Sequence, residues 1–156
     1  MARPGSLSTA QIGRCGELLV QYELLLCGVE SAALCTDVGV DLVAYSPAQH
    51  APLTIQIKSN LKSKPGGGKG KMGLDWWIEE NNPAQLVALV DLSSKRVWML
   101  KMEELATLAQ QRSSGRFHIY MYTDPTCIPR LSGRLMHSYE FEKYRLENRV
   151  RELFGV

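Results

Sequence analysis

Little in this sequence points to a membrane or to secretion. No run approaches the roughly eighteen apolar residues that span a bilayer, and the stretch from Leu18 to Leu26 is interrupted by Gln21 and Glu23. The opening residues, Met1-Ala2-Arg3-Pro4-Gly5-Ser6, lead into no apolar segment of the signal-peptide kind. A cytoplasmic protein is expected, with no membrane partner. Cysteine is scarce. Cys15, Cys27, Cys35 and Cys127 show no Cys-x-x-Cys spacing, and His50, His118 and His137 stand near none of them. The usual spacings of a structural zinc site are therefore missing, and reduced, mostly buried thiols are expected instead. Neither sign of charge dominates: a net charge of +2 does not by itself announce nucleic acid. Hydrophobic residues at 45% and charged residues at 22% exclude wholesale disorder. The 156 residues show no internal repeat and read as a single domain long enough to enclose a core.

What is there begins with the placement of charge. From Lys58 to Lys71 the chain carries lysines at 58, 62, 64, 69 and 71 and no acid, a local positive arm. The glycines between them predict a mobile segment. Its Pro65-Gly66-Gly67-Gly68-Lys69-Gly70-Lys71-Met72 resembles a phosphate-binding loop only in outline. Pro65 stands where the first glycine belongs, and Met72 where Ser or Thr would hold Mg²⁺. Lys62, Lys64, Lys69 and Lys71 are candidates for DNA-backbone contact.

Periodicity gives the elements. Ser8 or Thr9 can cap a helix running to about Cys27, with Gly28 as its stop. A short strand is predicted over Ser31 to Cys35, then a turn at Thr36-Asp37-Val38-Gly39 and a strand from Val40 to Tyr45. Ser46 to Pro52 reads as a turn. Leu53 to Lys58 alternates cleanly: Leu53, Ile55 and Ile57 face one way, Thr54, Gln56 and Lys58 the other. A short helix is expected over Leu74 to Asn81, carrying Trp76 and Trp77, of which at least one belongs to the core. Leu86 to Asp91 has the continuous apolar character of a central strand. Further strands are predicted over Arg96 to Leu100 and Phe117 to Tyr122, a helix over Lys101 to Gln111, and a closing helix over Tyr139 to Phe154. His118, Tyr120 and Tyr122 share a strand face without forming a catalytic set. Arg145, Arg149 and Arg151 alternate with glutamates as on a salt-bridged helix face.

The second and third strands form a hairpin. With its turn centred so that opposed residue numbers sum to about 99, Asp41 would face Lys58, and Gln56 would lie one diagonal step away on the same face. An acid, an amide oxygen and an ammonium so gathered suit phosphodiester hydrolysis. A hard cation such as Mg²⁺ takes oxygen ligands, polarises the phosphoryl oxygen and activates water, and a lysine beside it stabilises the transition state.

Gly39-Val40-Asp41-Leu42-Val43 followed by Leu53-Thr54-Ile55-Gln56-Ile57-Lys58, downstream of a helix bearing Gly16-Glu17, resembles the PD-(D/E)XK nuclease signature. Within that superfamily the sequence is most similar to the small bacterial group that includes cyanobacterial intron homing endonucleases, and more distantly to archaeal Holliday-junction resolvases. The resemblance covers about residues 9 to 100, with 101 to 156 as a C-terminal extension. It implies an α/β, restriction-endonuclease-like core: a mixed central sheet of four to five strands flanked by helices. It also implies a Mg²⁺-dependent (or Mn²⁺-dependent) DNA endonuclease working as a homodimer or homotetramer. Asp41 would be the chief metal ligand, Gln56, Glu17 and the backbone carbonyl of Ile57 the supporting ones, and Lys58 the catalytic cation. One departure stands out: the superfamily's second acid is Gln56 here. The rival readings are a non-catalytic DNA-binding or assembly module on the same fold, and an RNA- or junction-directed nuclease.

Overall fold

The structure is a computed structural model that describes residues 5–36, 39–49, 51–131 and 133–156. Ser8 caps the first helix, α1 (Thr9–Leu26), in a capping box: its hydroxyl accepts from Gln11 N, and the Gln11 side chain accepts from Ser8 N. Gly28, at φ +80°, follows the helix end. Strands β1 (Glu30–Ala33), β2 (Leu42–Tyr45) and β3 (Leu53–Asn60) then form an antiparallel meander. The turns expected at Thr36–Gly39 and Ser46–Pro52 include Asp37, Val38 and His50, which lie outside the described residues.

Beyond β3 the chain makes β4 (Lys64–Pro65), a tight 3-10 turn at Gly66–Gly68, and β5 (Met72–Glu79). Two expectations are corrected here. The lysine- and glycine-rich segment is a paired hairpin, with Lys64 opposite Gly73 and Pro65 opposite Met72. Gly70 is needed in it, because its N–H donates to Gly66 O at 2.6 Å and a Cβ would sit 2.5 Å from that same carbonyl. The segment from 74 to 81 is a strand, not a helix. Leu74, Trp76 and Ile78 point into the core with the period of two that a strand requires. Trp77 masks that period in the sequence, since it is a large apolar residue on the outward face.

Strands β6 (Leu86–Asp91) and β7 (Arg96–Lys101) lead into α2 (Met102–Leu108), β8 (Gln111–Ser113) and β9 (Arg116–Tyr122). The predicted closing helix divides in two. A 3-10 segment covers Ser138–Tyr144, Arg145 is extended and bridges to Trp98, and α3 covers Leu146–Phe154. Arg149 is buried and grips Glu104 of α2 through two 3.0 Å hydrogen bonds, so it is a tie between elements rather than part of a solvated face.

The fold is mixed α/β. The five-stranded sheet has the order β1-β2-β3-β6-β7, antiparallel except for β3 with β6. The four-stranded antiparallel sheet runs β4-β5-β9-β8. On one face of the first sheet, Val20 and Leu24 of α1 and Leu153 and Phe154 of α3 pack on Leu42, Ile55, Ile57 and Ala88. The other face packs Val87, Leu89, Trp98 and Leu100 against Trp76, Ile78 and Ile119 of the second sheet. Among the described residues no helix is long and apolar enough to cross a membrane. The cysteines are unpaired, and they are less buried than expected: Cys15, Cys27 and Cys127 are half-buried and Cys35 is exposed.

Helix α1 lies close on β3 at Gly16, where a Cβ would meet Ser59 Oγ at 1.7 Å and Ser59 Cβ at 2.9 Å. An alanine in a helix is ordinarily favoured by about 1 kcal/mol over glycine. Here the clash reverses the sign, and Gly16→Ala is expected to destabilise by roughly 1–3 kcal/mol, measured by denaturant unfolding. A neutral or stabilising result would mean that the helix is free to lift from the sheet.

Candidate active site

Leu42 pairs with Ile55 and Ala44 with Leu53, so opposed numbers sum to 97. The expected sum of 99 is therefore corrected by two. The ladder begins at Leu42 and Ile55, and Asp41 lies just beyond it. The turn between β2 and β3 is centred one residue earlier in the chain than the sequence implied.

Strand β2 begins only at Leu42, and Asp41 stands at the point where the chain leaves the ladder. Its N–H still donates to Ile55 O at 2.8 Å. Its carboxylate then takes over the work of the missing strand, with Oδ2 accepting the Ile57 N–H at 2.6 Å. A buried backbone donor needs such a partner, and a charged acceptor makes the bond strong. Within a strand, the N–H and C=O of one residue face the same neighbour. The Ile57 carbonyl therefore opens toward the same gap between β2 and β3.

Gln56 and Lys58 sit opposite Val87 and Leu89 of β6 and share their face, turned toward the second sheet. Gln56 is only 8% exposed, and its Oε1 accepts from Asn82 Nδ2. The Asn82 amide is oriented in turn, because its Oδ1 accepts the Ala84 N–H at 2.7 Å. Asn82 therefore fixes which way the Gln56 oxygen points. Gly39, at φ +85°, lies against the same loop, where a Cβ would be 3.0 Å from Pro83. Lys58 is half-buried.

Glu17 is placed differently from the other candidates. It belongs to α1, which covers the Ile55–Ile57 face of β3, whereas Gln56 and Lys58 are on the opposite face. Its carboxylate pairs with Arg14 at 2.7 Å. The structure thus joins Asp41 to the backbone of the Gln56-x-Lys58 strand, and gives Glu17 an ion pair on its own helix. Among the described residues no three His, Cys, Asp or Glu side chains form a metal-binding group. Among the described residues the oxygens of the motif are the Asp41 carboxylate, the Gln56 amide and the Ile57 carbonyl, all of the hard type that Mg²⁺ accepts. A carboxylate can hold an N–H and a cation together, and an amide oxygen has two lone pairs, so this set fits a Mg²⁺ that keeps part of its water.

Of the lysines, Lys62 and Lys69 are exposed beside β4. Lys64 Nζ stands 3.9 Å from Asp75 Oδ1. Lys71 Nζ donates to Ile128 O and lies 5.3 Å over the Tyr122 ring. Sequence reasoning missed Asn82, although Asn81-Asn82-Pro83 is a recognisable turn signal. It also missed Asp75, which an assumed helix had hidden. The hydrogen bond from His118 holds the Asp75 carboxyl below its ordinary range, with Lys64 adding to the effect.

No family model matches the chain, and comparison with curated proteins finds no similar sequence. Solved structures do match. One is that of a bacterial homing endonuclease, I-Ssp6803I, at a TM-score of 0.60 and 14% identity, covering 96% of this chain and 94% of that one. This chain has the fold of that nuclease. The likeness extends through the second sheet and α3, well past the segment that the sequence motif covers.

Proposed function

We propose that this protein is a metal-dependent DNA endonuclease of the PD-(D/E)XK type. The observation that carries the reading is the Asp41 carboxylate anchored on the N–H of Ile57, the residue between Gln56 and Lys58, on a fold shared with a homing endonuclease. Asp41 supplies the charged oxygen for a divalent cation, and Gln56 Oε1 and the Ile57 carbonyl supply neutral ones. When bound, Mg²⁺ or Mn²⁺ polarises the phosphoryl oxygen and lowers the pKa of a coordinated water. Lys58 places an ammonium where negative charge grows on the phosphoryl oxygens. Asn82 positions the Gln56 amide. Glu17 would join only by exchanging its Arg14 partner, so its loss should cost less activity than that of Asp41.

With an amide at Gln56 in place of the motif's second acid, the site should hold Mg²⁺ weakly until substrate phosphate adds its own oxygens. Gln56→Glu restores the superfamily's second acid and is expected to tighten Mg²⁺ about tenfold by calorimetry on the free protein. Unchanged affinity would remove Gln56 from the ligand set. Cutting both strands of a duplex calls for a homodimer or homotetramer. Leu18, Tyr22 and Leu25 form an exposed apolar stripe on α1, between 51% and 58% accessible, that would bury itself against a second copy.

The burial of Gln56 and its bond to Asn82 also favour a second reading, a DNA-binding module whose chemistry is lost. A panel of plasmid, four-way junction, single-stranded DNA and RNA, each with Mg²⁺ and Mn²⁺, separates the two. The nuclease reading expects metal-dependent cleavage of duplex DNA; binding without cleavage of any substrate supports the module.

A further inference from the structure

The outer face of the second sheet carries a feature that the β2–β3 site does not use. Opposed residues Trp77 and His118, Asp75 and Tyr120, and Gly73 and Tyr122 alternate outward along β5 and β9. Their rings make a ladder. Trp77 and His118 are parallel with centroids 4.1 Å apart, His118 and Tyr120 are 5.4 Å apart, and Tyr120 and Tyr122 are 5.7 Å apart. Between this ladder and the glycine turn of β4–β5 lies an open groove of about 930 Å³, lined also by Lys64, Lys71 and Arg130.

The charge of the groove defines its ligand. Three cations line it against one acid, Asp75, and that carboxylate is already engaged by His118 at 3.1 Å and Lys64 at 3.9 Å. The surplus is positive. The rings pack on one another and Arg116 covers Trp77 at 5.0 Å, so the ladder offers edges and polar tips rather than open faces. Stacking of unpaired bases requires open faces; contacts to phosphate and sugar require donors and cations. Burial pushes the Tyr120 phenol up from its ordinary pKa, so it remains a protonated donor. The strand that carries Lys58 also touches a strand that lines the groove. Asn60, two residues or about 7 Å beyond Lys58 along β3, donates to Asp75 O at 2.7 Å.

We propose that this groove seats the phosphodiester backbone of DNA flanking the scissile bond, with Lys64, Lys71 and Arg130 on phosphate and the Tyr120 hydroxyl donating to phosphate or sugar oxygen. The proposal rests on the nuclease reading for the choice of DNA as ligand and adds the surface that holds it. It extends the contact set from the lysine arm to Arg130 and to β9, and it makes binding at this surface independent of base sequence.

The test is fluorescence anisotropy of labelled duplexes in EDTA across a salt series, with plasmid cleavage by the wild type in Mg²⁺ run beside it. Arg130→Ala is expected to weaken binding about tenfold for every duplex sequence and to lower the slope of log affinity against log salt by about 0.9, one phosphate contact. Tyr120→Phe keeps the ring and its packing; it should weaken binding several-fold and leave the slope unchanged, because it removes a neutral donor. Wild-type affinity and slope in both variants, with the wild type binding and cutting DNA, would overturn the groove and leave the nuclease reading standing. Weakened binding in the variants of a protein that cuts nothing would support the groove and defeat the nuclease. A wild type that binds no DNA would overturn both.

Discussion

Asp41→Ala is expected to lower duplex cleavage by about 10³-fold or more at saturating Mg²⁺. The aspartate contributes the carboxylate that accepts the Ile57 N–H of the Gln56-x-Lys58 strand. Losing several kcal/mol of metal-borne transition-state stabilisation, at 1.36 kcal/mol per tenfold, gives a rate loss of that order. Stability also falls, since the Ile57 N–H loses a charged acceptor, at a cost of about 1–3 kcal/mol. Asp41→Asn separates the two effects: an amide oxygen can still take the Ile57 N–H but brings no charge. Single-turnover cleavage and thermal melting on both variants read the result. A melting temperature restored in Asp41→Asn with cleavage still absent is the signature of a metal ligand. Cleavage within tenfold of wild type in either variant would reduce Asp41 to a strand cap.

Lys58→Ala should lower the cleavage rate by about 10²–10³-fold, the usual consequence of removing one group aimed at developing charge. DNA affinity should change little, because at most one phosphate contact, about 0.9 in salt slope, is at stake. Lys58→Arg keeps the charge but spreads it over a planar fork, and is expected to recover part of the rate. Lys58 lies on β3, the strand shared by both neighbours in the first sheet, so its backbone is firmly placed and its half-buried side chain carries little packing. Loss of affinity in proportion to rate would make Lys58 a binding residue instead.

How far the sequence carried these conclusions follows from where each signal lies. The hairpin and its polar face were readable because Leu53 to Lys58 alternates strictly and Leu42 and Ala44 match it. Its register was not. Two residues of turn decide it, and the signal that Asp41 would leave the ladder to bond Ile57 N–H with its side chain lies in three dimensions. Glu17 shows the complementary limit: helical periodicity places it on α1, but which face of β3 that helix covers depends on the fit of Gly16 over Ser59. In the second sheet the strand over Phe117 to Tyr122 was legible, but its partner β5 was hidden behind Trp77. An outward tryptophan breaks the apolar-polar alternation, and the contacts that make it tolerable, His118 on one side and Arg116 nearby, come from a strand some forty residues away in sequence. Arg149 was misread for a similar reason, because its partner Glu104 is on another helix.

The central claim is a metal-dependent phosphodiester cleavage organised by Asp41, and nicking of supercoiled plasmid by the purified protein tests it most directly. Conversion to nicked or linear DNA is expected with Mg²⁺ or Mn²⁺, none in EDTA, and none with Asp41→Asn under any metal. Cleavage that persists in EDTA, or that Asp41→Asn performs at the wild-type rate, would contradict the account.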